Sequence, residues 1–212
     1  MAFLTKGNAK LGPGVFHFDL PAGLTHSCPG ASDFCSGASV EGFKSHGCYA
    51  QKGRFLMPSV QAKYASNMAM LGNLGELEHA LALEIERPAV KVVRIHTSGD
   101  FPTVSYVAMW ARLALTFPAV KFYAYTRSWT RPGLKRALES FDALPNVTLW
   151  ASHDPTMAPA PADWRIARIV GDWAHAPGEA HCPEQTGKRA SCTDCGLCWT
   201  ARPKARLAFL VH

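Results

Sequence analysis

Seven cysteines stand in two groups near opposite ends of the chain, Cys28, Cys35 and Cys48 early and Cys182, Cys192, Cys195 and Cys198 late. Each group is expected to wrap its backbone around a metal, the alternative for the early three being that they are small buried hydrophobes. The segment Met1-Ala2-Phe3-Leu4-Thr5-Lys6-Gly7 lacks the apolar run of a signal peptide, and no apolar stretch is long enough to span a bilayer. The chain therefore reads as cytoplasmic and without a membrane partner. Thiols stay reduced in that compartment, and an odd count would leave one unpaired, so metal ligation explains them better than disulfides do.

The late group is the more specific. Cys192, Cys195 and Cys198 form two overlapping C-x-x-C units, and Cys182 adds a thiolate across a short loop. Such spacing lets successive turns aim sulfur at one centre. Four thiolates complete a shell, which implies a structural or electron-transfer role. Tetrahedral zinc and a [4Fe-4S] cluster compete, and Pro183 with the dense run resembles ferredoxin-type ligation. The early group lies in a loop rich in Gly, Pro and Ser, suited to winding around an inorganic core. Its three thiolates would leave one iron of a second [4Fe-4S] cluster open to substrate; a zinc site completed by His26 or His46 is the alternative.

Between these groups, strand-like runs alternate with helical ones. Strands are expected at 14–20, 90–96, 120–125, 147–151 and 206–211, and a further one at 166–170. The stretch 58–86 carries apolar residues at helical spacing, with Gly72 and Gly75 as interruptions, and further helices are expected at 104–117 and 134–141. This alternation argues an α/β fold with mostly parallel strands and right-handed crossovers, drawn as a partial, incomplete barrel. Residues 1–178 would form that domain, with 179–212 as a cysteine-rich metal-binding segment and final strand.

With 212 residues and 48% hydrophobic composition, one sizeable core is expected. The net charge of +6 suits an anionic partner such as a nucleotide or nucleic acid, with basic residues grouped at 121–135 and 188–206. In a parallel sheet, reactive groups gather beyond the C-terminal strand ends. Asp100 follows the second expected strand, where it would accept hydrogen bonds or cap the next helix. Arg127 follows the third and offers a guanidinium to a carboxylate or phosphate. Ser152, His153 and Asp154 end the fourth, with His153 a candidate acid or base. His96 reads equally as a core histidine. No phosphate-binding glycine loop or nucleophile elbow is present.

Several segments look familiar together: Leu11-Gly12-Pro13-Gly14, Cys28-Pro29-Gly30-Ala31-Ser32, Cys48-Tyr49-Ala50, His96-Thr97-Ser98-Gly99-Asp100-Phe101, Tyr125-Thr126-Arg127-Ser128 and the closing Cys192 to Trp199. They resemble the actinobacteriophage gene product 88 family over nearly the whole chain, which would place the protein in a bacterial host. The arrangement also looks like a compact relative of radical S-adenosylmethionine (SAM) enzymes. That resemblance implies a partial α/β barrel in which Cys28, Cys35 and Cys48 hold a cluster whose open iron binds SAM. It further implies that Ser98, Gly99, Asp100, Tyr125, Arg127 and Ser152 contact the cofactor, that Asp100, Arg127 and Asp154 serve catalysis, and that an electron donor and a small-molecule or nucleotide substrate take part. The loop departs from the usual cysteine spacing, with six and then twelve residues between its cysteines. SAM-independent Lewis-acid or desulfurising chemistry is therefore also expected of such a site, and a non-catalytic zinc or iron-sulfur module binding nucleic acid or a host protein is the other class.

Overall fold

Each apolar run bounded by turn residues becomes a strand. The computed structural model describes residues 2–211 other than His46, and of His175 only the backbone. His46, named as a zinc ligand, lies outside the described residues. The strands are β1 (Thr5–Lys6), β2 (Val15–Phe18), β3 (Val92–Ile95), β4 (Lys121–Thr126), β5 (Val147–His153), β6 (Arg165–Val170), β7 (Ala180–His181) and β8 (Arg206–Leu210). The helices are α1 (Pro58–Ala69), α2 (Leu74–Ile85), α3 (Val104–Thr116), α4 (Pro132–Asp142), α5 (Cys192–Cys195) and α6 (Leu197–Thr200). Glycine decides the break between α1 and α2: a 3-10 turn ends at Gly72, and the Asn73 side chain caps α2 by accepting from the Glu76 amide.

All eight strands form one sheet in the order β1-β2-β3-β4-β5-β6-β8-β7. The β1–β2 pair is antiparallel and every other pair parallel. From β2 to β6 the order follows the sequence, without the reversal that creates a switch point in doubly wound sheets. The sheet is mixed α/β and mostly parallel as expected, but its edges β1 and β7 do not pair, so no closure into a barrel is seen among the described residues. The segment from 179 onward supplies two strands of this same sheet.

Alternation along the strands sorts two faces. Phe16, Phe18, Val93, Ile95, Phe122, Ala124 and Leu149 pack with Leu77, Leu81 and Ile85 of α2, Trp110 and Leu113 of α3, and Leu138 and Phe141 of α4. The four-residue spacing of Leu77, Leu81 and Ile85 keeps all three on one helix face. The other face carries Val15, Val92 and Tyr123, covered by Leu11 and by Cys192, Cys198 and Trp199. Farther along it, Trp150, Ala167 and Leu207 meet Cys182, Leu197 and Cys198. The late cysteine segment is therefore the second layer of the fold: it covers a sheet face that no long helix reaches.

That layer is tied to the beginning of the chain. The Lys10 and Leu11 carbonyls accept from the Cys192 and Thr193 amides at 2.8 and 3.1 Å. The Thr193 hydroxyl donates to the Leu11 and Pro13 carbonyls at 2.9 and 3.0 Å. Gly12, at φ +84°, allows this approach, since a Cβ there would lie 2.5 Å from the Thr193 hydroxyl.

Candidate functional site

The early cysteine loop crosses the C-terminal ends of β3, β4 and β5. Gly30 makes the crossing tight, because a Cβ there would lie 2.1 Å from the Arg127 carbonyl oxygen. Ser32 donates to Asp154 Oδ2 at 2.6 Å, and the Phe34 amide donates to the Thr156 hydroxyl at 3.3 Å. Arg131 reaches back to the Pro29 carbonyl at 2.6 Å. Asp100, Arg127 and Asp154, expected from three separate strand ends, are brought to one place beneath this loop.

Arg127 is the cation of the group. Its guanidinium donates to Asp154 Oδ2 at 3.0 and 3.3 Å, and burial, which alone would lower its pKa, is outweighed by Cys35, Asp154 and Asp100 around it. Asp154 is fully buried. Burial would raise its pKa, yet donation from Ser32 and Thr156 and the Arg127 charge hold it below the ordinary carboxylate range. Cys28 is pushed up to about 12 by burial and by the Asp100 carboxylate, with smaller opposing contacts from the Gly23 amide and the Ser27 hydroxyl. Cys48 is likewise raised, by burial and then by Cys35, while Arg127 pulls it down. Cys35 and Cys48 thus share the influence of the Arg127 charge, and Cys28 is coupled to Cys48.

Asp100 accepts hydrogen bonds, as expected of it, from donors within the chain. Its carboxylate accepts from the Phe101 amide (2.7 Å), the Thr126 hydroxyl (2.6 Å), the Arg127 amide (2.7 Å) and the Ser128 amide (3.2 Å). Burial raises its pKa and these donors partly restore it. The side chain fastens the turn after β4 to the turn after β3. It does not cap α3: the Thr103 hydroxyl does, accepting from the Tyr106 amide. Ser98 is similarly committed, donating to the Leu20 carbonyl at 2.9 Å, and Gly99 abuts Leu20 and the Ser27 hydroxyl. The Ser152 carbonyl accepts from the Trp129 indole at 3.2 Å. His153 is half-buried, and that burial lowers its pKa.

Tyr125, which the resemblance makes a cofactor contact, turns its hydroxyl to the late group, donating to Cys198 Sγ at 2.7 Å. The Trp150 indole donates to the Cys198 carbonyl at 2.9 Å. Cys182, Cys192, Cys195 and Cys198 line one pocket with Pro183, Glu184, Leu197 and Leu207. Cys198 is pushed up to about 12 by burial, against the Tyr125 donation, and Cys192 is raised chiefly by burial. All seven cysteines are free thiols. Among the described residues, no three His, Cys, Asp or Glu side chains converge closely enough to hold a single metal ion.

A family model described as gene product 88 matches residues 2–201. The chain belongs to the gene product 88 family. It is 31% identical to the gene 88 protein of Mycobacterium phage L5, over 94% of this chain and 89% of that protein. Identity and coverage are the same for the gene 88 protein of Mycobacterium phage D29. No solved structure matches the chain. The family resemblance read from the motifs therefore holds, while nothing in these relatives' names speaks of SAM, iron or sulfide. No helix of the described residues is long and apolar enough to cross a membrane.

In this gene product 88 chain the sequence reading passed over Asp19 and Arg94. Asp19, just past β2, accepts from His17 Nδ1 (2.5 Å), from the amide and hydroxyl of Thr97 (both 2.6 Å) and from the Ser98 amide (3.2 Å). Arg94 lies among Tyr123, Tyr49, Tyr125 and Asp19, with its guanidinium 5.5 Å from the Tyr125 ring centre. Each had a signal: a charged residue interrupting or closing an otherwise apolar strand. Tyr49, next to Cys48, donates its hydroxyl to the Thr97 carbonyl at 2.6 Å.

Proposed function

We propose that this protein is an iron-sulfur enzyme built on a sheet curved as a partial barrel, with a catalytic centre at Cys28, Cys35 and Cys48 and a second centre at Cys182, Cys192, Cys195 and Cys198. The observation that carries this reading is the pocket among the four late cysteines. A tetrahedral zinc ion, with Zn–S near 2.3 Å, needs sulfurs roughly 3.7 Å apart, and the described cysteines do not converge to single-ion geometry. Four thiols line that one pocket, and a four-iron cluster would take one thiolate at each iron.

A four-iron cluster bound by three cysteines supplies an open iron that acts as a Lewis acid or passes electrons. The chain's own residues do the rest. Arg127 offsets the negative charge of three thiolates, Asp154 and Ser32 hold Arg127 and the loop in place, and Asp100 fixes the turn that presents the Arg127 backbone. Substrate enters from the exposed side of the loop, where Leu24, Tyr49, Leu56 and Met57 give apolar surface and the net positive charge favours an anionic small molecule or nucleotide. The Asp100 carboxylate already accepts four internal hydrogen bonds, and the Ser98 proton is given to the Leu20 carbonyl. This favours SAM-independent chemistry over radical SAM chemistry, since a SAM amino group would have to displace a donor from Asp100.

Anaerobic purification followed by iron, sulfide and zinc analysis is the test. Iron and acid-labile sulfide sufficient for two clusters are expected; two zinc ions without sulfide would reject the reading. That result would favour the non-catalytic module, for which Lys188, Arg189, Arg202, Lys204 and Arg206 offer an exposed basic surface to nucleic acid. Incubation of reduced protein with SAM should yield no 5'-deoxyadenosine. Its formation would restore the radical SAM mechanism.

A further inference from the structure

Tyr125 is held where a phenylalanine would pack equally well except for one atom. Its ring meets Trp150 at 6.1 Å, Tyr123 at 6.1 Å and Phe209 at 5.5 Å between centroids, and the Arg94 guanidinium lies over it. Confined on these sides, the phenol has little freedom to reorient, and its hydroxyl is spent on the sulfur of Cys198. The Cys198 backbone is fixed in turn by the Trp150 indole. Donor and sulfur are therefore both anchored to β4 and β5 of the sheet, one through its own strand and the other through Trp150.

We propose that Tyr125 sets the reduction potential of the centre held by Cys182, Cys192, Cys195 and Cys198, with Arg94 behind its ring as a fixed positive charge. This rests on the iron-sulfur reading above. Reduction adds one electron to the centre from an external donor, and the added charge spreads onto its thiolate ligands. A hydrogen bond donated to one of those sulfurs stabilises the reduced form more than the oxidised form, so it raises the potential. The same holds for a permanent cation nearby. Arg94 also lies beside Asp19 and Tyr49, the latter adjoining Cys48, so one charge stands between the two cysteine groups. Tyr125 acts through Cys198 and is a positioning residue, without contact to substrate.

The experiment is a dithionite titration of the full-length, anaerobically purified protein, followed by electron paramagnetic resonance, with iron and sulfide measured on each sample. Tyr125→Phe should keep wild-type iron and sulfide while the midpoint of one centre falls. The expected shift is about tenfold in the one-electron equilibrium, or ~59 mV. The other centre is the internal reference and should not move. Replacing Tyr125 with 3-fluorotyrosine, a stronger donor of the same shape, should shift that same midpoint upward. Unchanged midpoints in metal-replete variants overturn the proposal. Should Tyr125→Phe lose its metal, the fluorotyrosine protein decides alone, and an unmoved midpoint there again overturns it. Absence of iron and sulfide from the wild type is a different failure, which rejects the iron-sulfur reading itself and this proposal with it. A role in packing alone would alter stability or metal content and leave both midpoints in place.

Discussion

Arg127 and Ser32 converge on a single oxygen, Asp154 Oδ2, from 3.0 and 2.6 Å. A residue of the turn after β4, one of the cysteine loop and one just beyond β5 are thereby locked together. Arg127→Met leaves a buried carboxylate with only neutral donors, and the expected cost is about 3 kcal/mol of unfolding free energy. Adding Asp154→Asn should recover part of that loss, since the orphaned charge is then gone. Urea denaturation of the two single variants and the double variant measures the coupling. A single variant within about 0.5 kcal/mol of wild type would show the pair to be dispensable.

Gly30 makes a steric prediction. Its missing Cβ would sit 2.1 Å from the Arg127 carbonyl oxygen, and backbone on both sides leaves nothing to rotate away. Gly30→Ala should therefore lift the early loop off the strand ends while the late cysteine segment stays folded. Metal analysis should show selective loss at the early site, with about half the wild-type iron retained. Full retention would mean that the loop seats without this contact.

At the other end, Gly12→Ala brings a methyl against Thr193 in a backbone conformation of φ +84°. Loosening of the late segment is expected, at a cost of about 2 kcal/mol. Limited proteolysis near 185–190 should accelerate. A second change, Thr193→Ala, removes the 2.5 Å contact with the hydroxyl but leaves the Ser191 hydroxyl and the residue 193 Cβ each 2.9 Å away, and the backbone strain with them, so the double variant should be only partly restored.

His96 supplies a pH dependence. Burial, reinforced by the Arg94 charge and opposed by Asp19, pushes its pKa down to about 3 from an ordinary 6.5. A depressed folded-state pKa means that the unfolded chain binds the proton more readily. The stability from keeping His96 neutral is thus fully present above pH 6.5 and is lost as the pH falls toward 3. The slope from this one group is about 1.4 kcal/mol per pH unit. His96→Asn, which tolerates the left-handed backbone at φ 71°, should flatten the difference in stability between pH 6.5 and 4.5. An unchanged slope would place the titrating group elsewhere.

The strands and helices were largely legible because each carries several apolar residues at a fixed period, and tertiary packing only trimmed their ends. The edge strands β1 and β7 were not, since two residues show no period and exist through pairing with β2 and β8. The convergence of Asp100, Arg127 and Asp154 followed from strand polarity. What their carboxylates would accept did not, because the donors to Asp100 come from Phe101 and from the 126–128 turn, a pairing that only the folded chain creates. The partner of Tyr125 was hidden for a related reason. Strand parity puts Tyr125 on the face of Tyr123, but the sequence does not tell which segment covers that face.

The layer formed by the late cysteines has a consequence for biosynthesis. A ribosome makes the strands through β6 before it makes residues 182–199, so until then Tyr123, Trp150 and their neighbours lack their cover. The nascent chain must wait with an apolar sheet face open, and the lid that closes it carries the four thiols. Truncation before residue 182 should therefore register as aggregation of newly made protein, measured by pelleting after expression.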